Sequence, residues 1–281
     1  MNSIKIDAPA KINIGLRVLE KRKDGFHNIQ TLFYPILGLH DEIIITKSDE
    51  NKIAGNFPND VNDKNNLIIK AKKFLEQEIN NELKCQIEVN KVIPIGAGLG
   101  GGSSDAAATL KALNKLFELN ISKSKLHNIA LSLGSDVPFF INSQPAIGTS
   151  RGEILNVVPI TIPYHILLIN PHIHISTKEA FENIIPKYEM NNYLKLDFND
   201  GNNLPIYQNE IKNDFEDFVF NKYPEIKKIN DIMLENKAVF SKMTGTGSTV
   251  FGFFKELDSI EKVINALPSK YFFYVEKYSL R

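Results

Sequence analysis

Cysteine is nearly missing from this chain: Cys85 stands alone in 281 residues. A lone cysteine excludes an internal disulfide and fits a reducing compartment. An excess of charge of one sign is missing too, since 33 Lys and Arg balance 33 Asp and Glu. Proteins that grip a polyanion carry a large basic surplus, so no nucleic-acid partner is expected. Long hydrophobic runs are absent as well: no segment approaches the roughly 20 apolar residues of a membrane span. The opening Met1-Asn2-Ser3-Ile4-Lys5-Ile6-Asp7 enters a strand pattern too early for a signal peptide. The expected setting is the cytoplasm, with small molecules rather than membranes as partners.

What is present is ordinary globular material, 43% hydrophobic and 23% charged. Ile12, Ile14, Leu16 and Val18 alternate with Lys11, Asn13, Gly15 and Arg17. Period two predicts a half-buried strand with Lys11 and Asn13 on its polar face. Asp24-Gly25 signals a turn, residues 29–34 a returning strand and 43–46 a separate short one. Residues 51–66 read as a loop, 67–77 as a helix, and 84–95 as a strand. A helix carries Ala106, Leu110, Leu113 and Phe117 on one face, its alanines allowing close approach to a sheet. A second helix at 126–133 ends at Gly134, in the place of a C′ residue.

Further strands are expected at 165–170, 239–243, 249–254 and 271–276, with helices at 177–185, around Phe215, Phe218 and Val219, and at 259–267. Residues 187–205 read as a polar connection. Strands and helices without strict alternation predict an α+β protein with two domains meeting near residues 150–160.

The chemistry concentrates at Gly96-Ala97-Gly98-Leu99-Gly100-Gly101-Gly102-Ser103-Ser104, between a strand and a helix. Glycines free successive N–H groups to turn inward on an anion, and the following helix adds its unbonded N-terminal donors and dipole. The pattern is a phosphate cradle. Walker A requires a lysine after its last glycine, and Gly102 is followed by Ser103, so that reading fails. Gly96, Gly98 and Gly101 match the dinucleotide fingerprint formally, with Glu118 at about the spacing of its acidic partner. Yet Leu119-Asn120-Ile121-Ser122 after Glu118 reads as a helix exit, not a strand end.

Asp136, in Gly134-Ser135-Asp136-Val137-Pro138, reads on its own as a helix cap. A phosphate cradle in the same chain offers another role, since a kinase needs a carboxylate for the acceptor hydroxyl. Lys11 is either a solvated strand lysine or a cation lining a cleft. Cys85 reads as a buried strand residue. His172 and His174 lack a nearby third ligand, and no protein-held metal site is expected from them.

Three motifs together resemble the GHMP kinases: Pro9-Ala10-Lys11-Ile12-Asn13, Pro94 through Ser104, and Met243-Thr244-Gly245-Thr246-Gly247-Ser248. The resemblance runs over essentially the whole chain. It implies a two-domain α+β fold: an N-terminal α/β ATP-binding domain with a left-handed crossover, 1–155, and a C-terminal α+β domain, 156–281, with the acceptor in the cleft between them. It implies ATP and Mg²⁺, Asp136 as catalytic base, and Lys11 as the cation beside it. ATP phosphates would lie on Pro94, Gly96, Ala97, Gly98, Leu99, Gly100, Gly101, Gly102, Ser103 and Ser104, with Asn66 and Leu67 near the adenine. Asp24-Gly25-Phe26-His27, Gly134-Ser135-Asp136 and Thr246-Gly247 resemble the subgroup that phosphorylates a cytidine diphosphate-bearing alcohol in non-mevalonate isoprenoid synthesis.

In that subgroup Asn13, Phe26, His27, Asp136, Thr177 and Phe181 would contact the acceptor. Phe26 stands where the subgroup has Tyr; a ring that stacks on cytosine needs only its π-face, so stacking is expected to survive. Mevalonate- and homoserine-type acceptors, or a sensor without chemistry, are the alternatives, and a monomer or weak homodimer is the expected state.

Overall fold

The computed structural model describes residues 1–57, 66–186 and 200–279. The connections expected at 51–66 and 187–205 therefore lie in part outside the described residues. Two compact units emerge, each assembled from separate stretches of chain. Unit 1 is Met1–Ala10, Pro35–Ile95 and Gly100–Ser143; unit 2 is Lys11–Tyr34, Gly96–Leu99 and Gln144–Arg281. Compactness thus follows interleaved stretches, whereas the two expected domains were consecutive halves.

Two long strands contribute to both units: β1 (Ser3–Lys21) and β2 (His27–Lys47). The turn joining them forms as Asp24-Gly25 predicts. Asp24 Oδ1 accepts the Phe26 N–H at 3.1 Å, and Gly25 takes φ 88°. The two strands expected at 29–34 and 43–46 are one. Pro35 and Gly38 punctuate the sequence, but Pro35 falls between the stretch paired with β5 (Thr31 to Phe33) and the stretch paired with β4 (Glu42 to Lys47). A missing N–H there interrupts neither ladder.

In unit 1, β3 (Lys52–Gly55) runs parallel to β4 (Cys85–Asn90), joined through helix α1 (Leu67–Ile79). β4 in turn pairs antiparallel with β2. Helix α2 (Gly101–Leu116) packs on α1, α3 (Lys123–Leu133) and α4 (Val137–Asn142), with its alanines fully buried. Gly134 ends α3 as expected, but in extended backbone at φ 166° rather than left-handed. Cys85 is buried, and burial pushes its thiol up to about 11.

In unit 2, β2 pairs with β5 (Ala146–Thr149), and β5 with β6 (Ile154–Val157). A second sheet has the order β10-β7-β9-β8, from β7 (His165–Asn170), β8 (Phe240–Met243), β9 (Val250–Phe254) and β10 (Phe272–Glu276). Helices α5 (Thr177–Glu182), α6 (Glu216–Lys222), α7 (Pro224–Glu235) and α8 (Leu257–Asn265) complete it, with a 3-10 helix at Gly201–Tyr207. Its core gathers Leu16, Val18, Phe215, Ile229, Met233, Val250 and Val263. Helix α7 was not foreseen, although Ile226, Ile229 and Met233 recur at helical spacing and are fully buried.

Candidate active site

Strand β1 carries Lys11 and Asn13 two residues apart, hence on one face. That face is not solvated: Lys11 is 3% exposed and Asn13 1%. The expectation of a half-buried strand is corrected here, because the polar face is covered within unit 2. Lys11 Nζ donates to Asn13 Oδ1 at 2.5 Å and to the Gly98 carbonyl at 3.0 Å. Its backbone N–H donates to Leu99 O at 3.0 Å. The ammonium also lies 5.7 Å from the centroid of the Phe33 ring. Asn13 is held in turn by its N–H on Thr244 Oγ1 and its Nδ2 on Thr31 Oγ1, each at 2.9 Å. Thr244 Oγ1 donates to Gly98 O at 3.2 Å.

The glycine loop is shaped by this contact. Gly96, Gly98 and Gly100 have φ of 66°, 77° and 73°. A Cβ on Gly98 would sit 2.3 Å from Thr244 O, so glycine is required by space as well as by torsion. Ala97 O accepts the Thr249 N–H at 3.3 Å.

Residues 100–104 belong to unit 1. Gly100 is the N-cap of α2 and offers no side chain to its first N–H groups. Gly101 and Gly102, read from sequence as loop, are the first residues of the helix. Uncapped donors and the positive end of a helix dipole are chemistry suited to an anion. Ser104 Oγ and Asn66 Nδ2 are buried without hydrogen-bond partners among the described residues. Asn66 caps α1 through Oδ1, which accepts from the Ile68 N–H at 2.9 Å, and this leaves its amide nitrogen over. A Cβ on Gly102 would lie 3.8 Å from Leu67 Cδ1, so α1 and α2 start side by side.

Lys91, which no motif marked, bridges two buried carboxylates, Asp41 and Asp105. Burial pushes the Asp105 carboxyl up to about 7, against the opposing pull of the Lys91 ammonium and with added push from the neighbouring Asp41. Asp136 stands at the N-cap of α4 with φ −84° and ψ −17°, and its side chain makes no capping hydrogen bond. The helix-cap reading therefore fails in its essential contact.

In unit 2, the His27 ring stacks on Phe181 with centroids 5.0 Å apart and planes at 24°. Phe181 meets Phe215 edge-on at 4.9 Å. Burial, reinforced by the Lys21 charge, lowers the His27 pKa and favours the neutral ring. Phe26 is 47% exposed, with the Arg151 guanidinium 4.1 Å from its centroid. Thr177 Oγ1 lies 3.4 Å from Thr246 Oγ1, linking α5 to the second glycine turn.

The structure thus gathers Lys11, Asn13 and Gly98 around Thr244, and His27 with Phe181. Thr244 was part of a quoted motif, but nothing in the sequence gave it a partner. The dinucleotide reading fails, because Glu118 closes α2 at φ 54° and α3 follows instead of a strand. Among the described residues no group of three His, Cys, Asp or Glu could hold a metal. No helix described is long and apolar enough to cross a membrane.

Comparison with known proteins defines the class first. The sequence model described as GHMP kinases N terminal domain matches residues 66–144, and that described as GHMP kinases C terminal matches 199–272. A 4-diphosphocytidyl-2-C-methyl-D-erythritol kinase of Bacteroides thetaiotaomicron is 41% identical over 88% of this chain and 90% of its own. One from Chlorobium phaeobacteroides (strain BS1) is 39% identical over 93% and 92%. The crystal structure of a 4-(cytidine 5'-diphospho)-2C-methyl-D-erythritol kinase superposes with a TM-score of 0.80 at 27% identity, covering 97% of this chain and 98% of that one. Homoserine kinase from Cytophaga hutchinsonii shares the fold, with a TM-score of 0.74 at 16% identity over 99% and 95%. The chain belongs to the GHMP kinases and, within them, to the 4-diphosphocytidyl-2-C-methyl-D-erythritol kinase family.

Proposed function

We infer that the chain transfers the γ-phosphoryl group of ATP to the 2-hydroxyl of 4-diphosphocytidyl-2-C-methyl-D-erythritol, a step of non-mevalonate isoprenoid precursor synthesis. Whole-length similarity at 34–41% identity to kinases of that name carries the reading. The geometry within each unit supports the roles of individual residues that follow.

ATP phosphates bind the glycine-rich segment 94–104. The free N–H groups at the start of α2 meet negative charge there without any side chain intervening. Asn66 and Leu67 line the adenine end, where the spare Asn66 Nδ2 offers a buried donor. Phosphoryl transfer passes through a loose transition state with charge spread over the equatorial oxygens. Lys11, fixed by Asn13 and Gly98 O, supplies a positioned cation for that charge.

A free aspartate has a pKa of about 3.9, far too low to ionise an alcohol beforehand. Asp136 therefore orients the acceptor hydroxyl and takes its proton late, as bond formation acidifies it. Asn13, Phe26, His27, Thr177 and Phe181 contact the acceptor, with the aromatic rings offering stacking faces to cytosine. Mg²⁺ accompanies ATP. The unpartnered Ser104 Oγ is a hard oxygen donor suited to it, and the ion would neutralise phosphate charge. A cytoplasmic location and a monomer or weak homodimer belong to the same proposal.

The test is transfer of label from ATP to a panel of alcohols. Product from the cytidine diphosphate acceptor and not from mevalonate or homoserine is expected; the reverse would overturn the reading. Asp136→Ala should lower kcat by about 10²–10⁴. Near-normal turnover by that variant would remove Asp136 from the chemistry.

A further inference from the structure

The segment from Lys212 to Glu216 matches no motif singled out in the sequence, yet it ties together two elements of unit 2 that carry proposed site residues. On one side it grips β1. The Leu16 N–H donates to Lys212 O at 2.9 Å, and the Asp214 N–H donates back to Leu16 O at 2.8 Å. Asp214 Oδ2 then accepts the Val18 N–H at 2.8 Å and Arg17 Nε at 3.2 Å, in an ion pair whose side chains are 3% and 4% exposed. On the other side it grips the second glycine turn. Asn213 Nδ2 donates to Met243 O and to Gly245 O, both at 2.8 Å. Glu216 Oε1 accepts the Met243 N–H, also at 2.8 Å.

The Asn213 amide is fully determined by these contacts. Its Oδ1 accepts the Phe215 N–H at 3.0 Å, while both of its hydrogens meet carbonyls. Backbone N–H groups only donate and carbonyls only accept, so the amide cannot be turned over, and a carboxylate there would face two carbonyl oxygens. The turn it holds is packed without slack against the first glycine loop. A Cβ on Gly245 would come within 3.3 Å of Gly98 Cα and 3.4 Å of Asn13 Oδ1. Thr244 contacts Asn13 and Gly98, and Gly98 O holds the Lys11 ammonium.

We propose that Asn213, Asp214 and Glu216 form a positioning bracket that sets the turn at 243–245 against β1 and thereby fixes where the Lys11 ammonium is presented. These residues touch no substrate; they act through Thr244 and Gly98. What the bracket serves rests on the kinase reading of Lys11, but the bracket itself does not.

The experiment compares Asn213→Asp with Val263→Ala, a core truncation in α8 that touches none of these bonds. Kinetics are measured well below each variant's unfolding midpoint, and amide hydrogen exchange is followed at residues 244–247. Displacing a reacting group by about 1 Å costs on the order of 10²-fold in rate. Asn213→Asp should therefore lower kcat by roughly 30- to 100-fold, with both KM values within about threefold, and speed exchange in the turn about tenfold or more. Val263→Ala should leave kcat and turn exchange near wild type.

Should Asn213→Asp not fold, Glu216→Ala should slow turnover about tenfold, a smaller loss because only one of the bracket's three hydrogen bonds to the turn is removed. Glu216→Gln, which keeps the Oε1 acceptor, should restore turnover. A kcat within threefold of wild type in Asn213→Asp or in Glu216→Ala, or an equal loss in Val263→Ala, overturns the proposal. If the wild-type protein phosphorylates no cytidine diphosphate acceptor, the kinase reading falls instead. Turn exchange then still decides the bracket: faster exchange in Asn213→Asp upholds it, and unchanged exchange ends it.

Discussion

Replacing Gly98 by alanine tests the interlock between the first glycine loop and the second glycine turn, because its two costs can be separated. The first is torsional: φ at Gly98 is 77°, a left-handed value that costs an L-residue roughly 1–2 kcal/mol. The second is steric. The new Cβ would start 2.3 Å from Thr244 O, against a floor of 3.0 Å for real contacts, so loop and turn must part by at least 0.7 Å. Overpacking of this kind adds about 1–3 kcal/mol.

Gly25→Ala serves as the comparison, since φ is 88° there with nothing within 4 Å of the added carbon. It bears the torsional cost alone. Denaturant unfolding should therefore show Gly98→Ala less stable than Gly25→Ala by about 1–3 kcal/mol. Gly98 O is also the acceptor for Lys11 Nζ, so the displacement moves the ammonium. Steady-state kinetics should show kcat reduced about 10²-fold, from a shift approaching 1 Å. Equal stability losses in the two variants, together with kcat within threefold of wild type, would refute the interlock.

Two further outcomes follow from the aromatic pair and from a buried acid. His27→Ala removes the ring stacked on Phe181 and should raise KM for the acceptor about tenfold, since base stacking is worth about 1–3 kcal/mol, with KM for ATP within twofold; equal rises would put His27 outside the acceptor pocket. Burial raises Glu216 from 4.5 to about 7, against the opposing pull of Lys242 and with added push from Asp217 and Asp214. Between those two values the folded chain holds a proton that the unfolded chain has released, so stability falls as pH rises through that window and is level above it. Urea midpoints at about pH 5 and about pH 8 should differ less in Glu216→Gln than in wild type, with the Gln variant gaining at the higher pH. Some slope should remain, because the Asp105 carboxyl is raised in the same direction. An unchanged pH slope in Glu216→Gln would show that this carboxyl does not titrate in that window.

Much of the site was legible in sequence because its parts are local. The run at 96–104 announces itself by composition, and Lys11 and Asn13 by strand periodicity on an otherwise apolar segment. Strands β7, β8 and β9 were readable from short apolar runs beside turn residues. The covering of Lys11 was not, because burial of a strand's polar face depends on Thr244, some 230 residues away. The unity of β2 was hidden by Pro35, whose tolerance depends on which strands pair on either side. Gly101 and Gly102 looked like loop because glycine is a poor helix former, and only the fold shows that a Cβ on Gly101 would crowd Ile93 at 3.1 Å.

That contrast separates two kinds of residue in such a site. Where a side chain must be absent, as at Gly98 and Gly245, the sequence carries the requirement in the residue itself. Where a side chain must hold somebody else's backbone, as Asn213 holds Met243 and Gly245, the requirement is split between positions about 30 residues apart. Either half alone looks commonplace: an asparagine before an aspartate, and a glycine turn between two strands. The glycines make the close approach possible, but they bring no side chain of their own to anchor the turn, which leaves Thr244 and Thr246 to do so from within it. The turn's backbone is restrained from outside as well, in unit 2 by the Asn213 amide together with the Glu216 carboxyl.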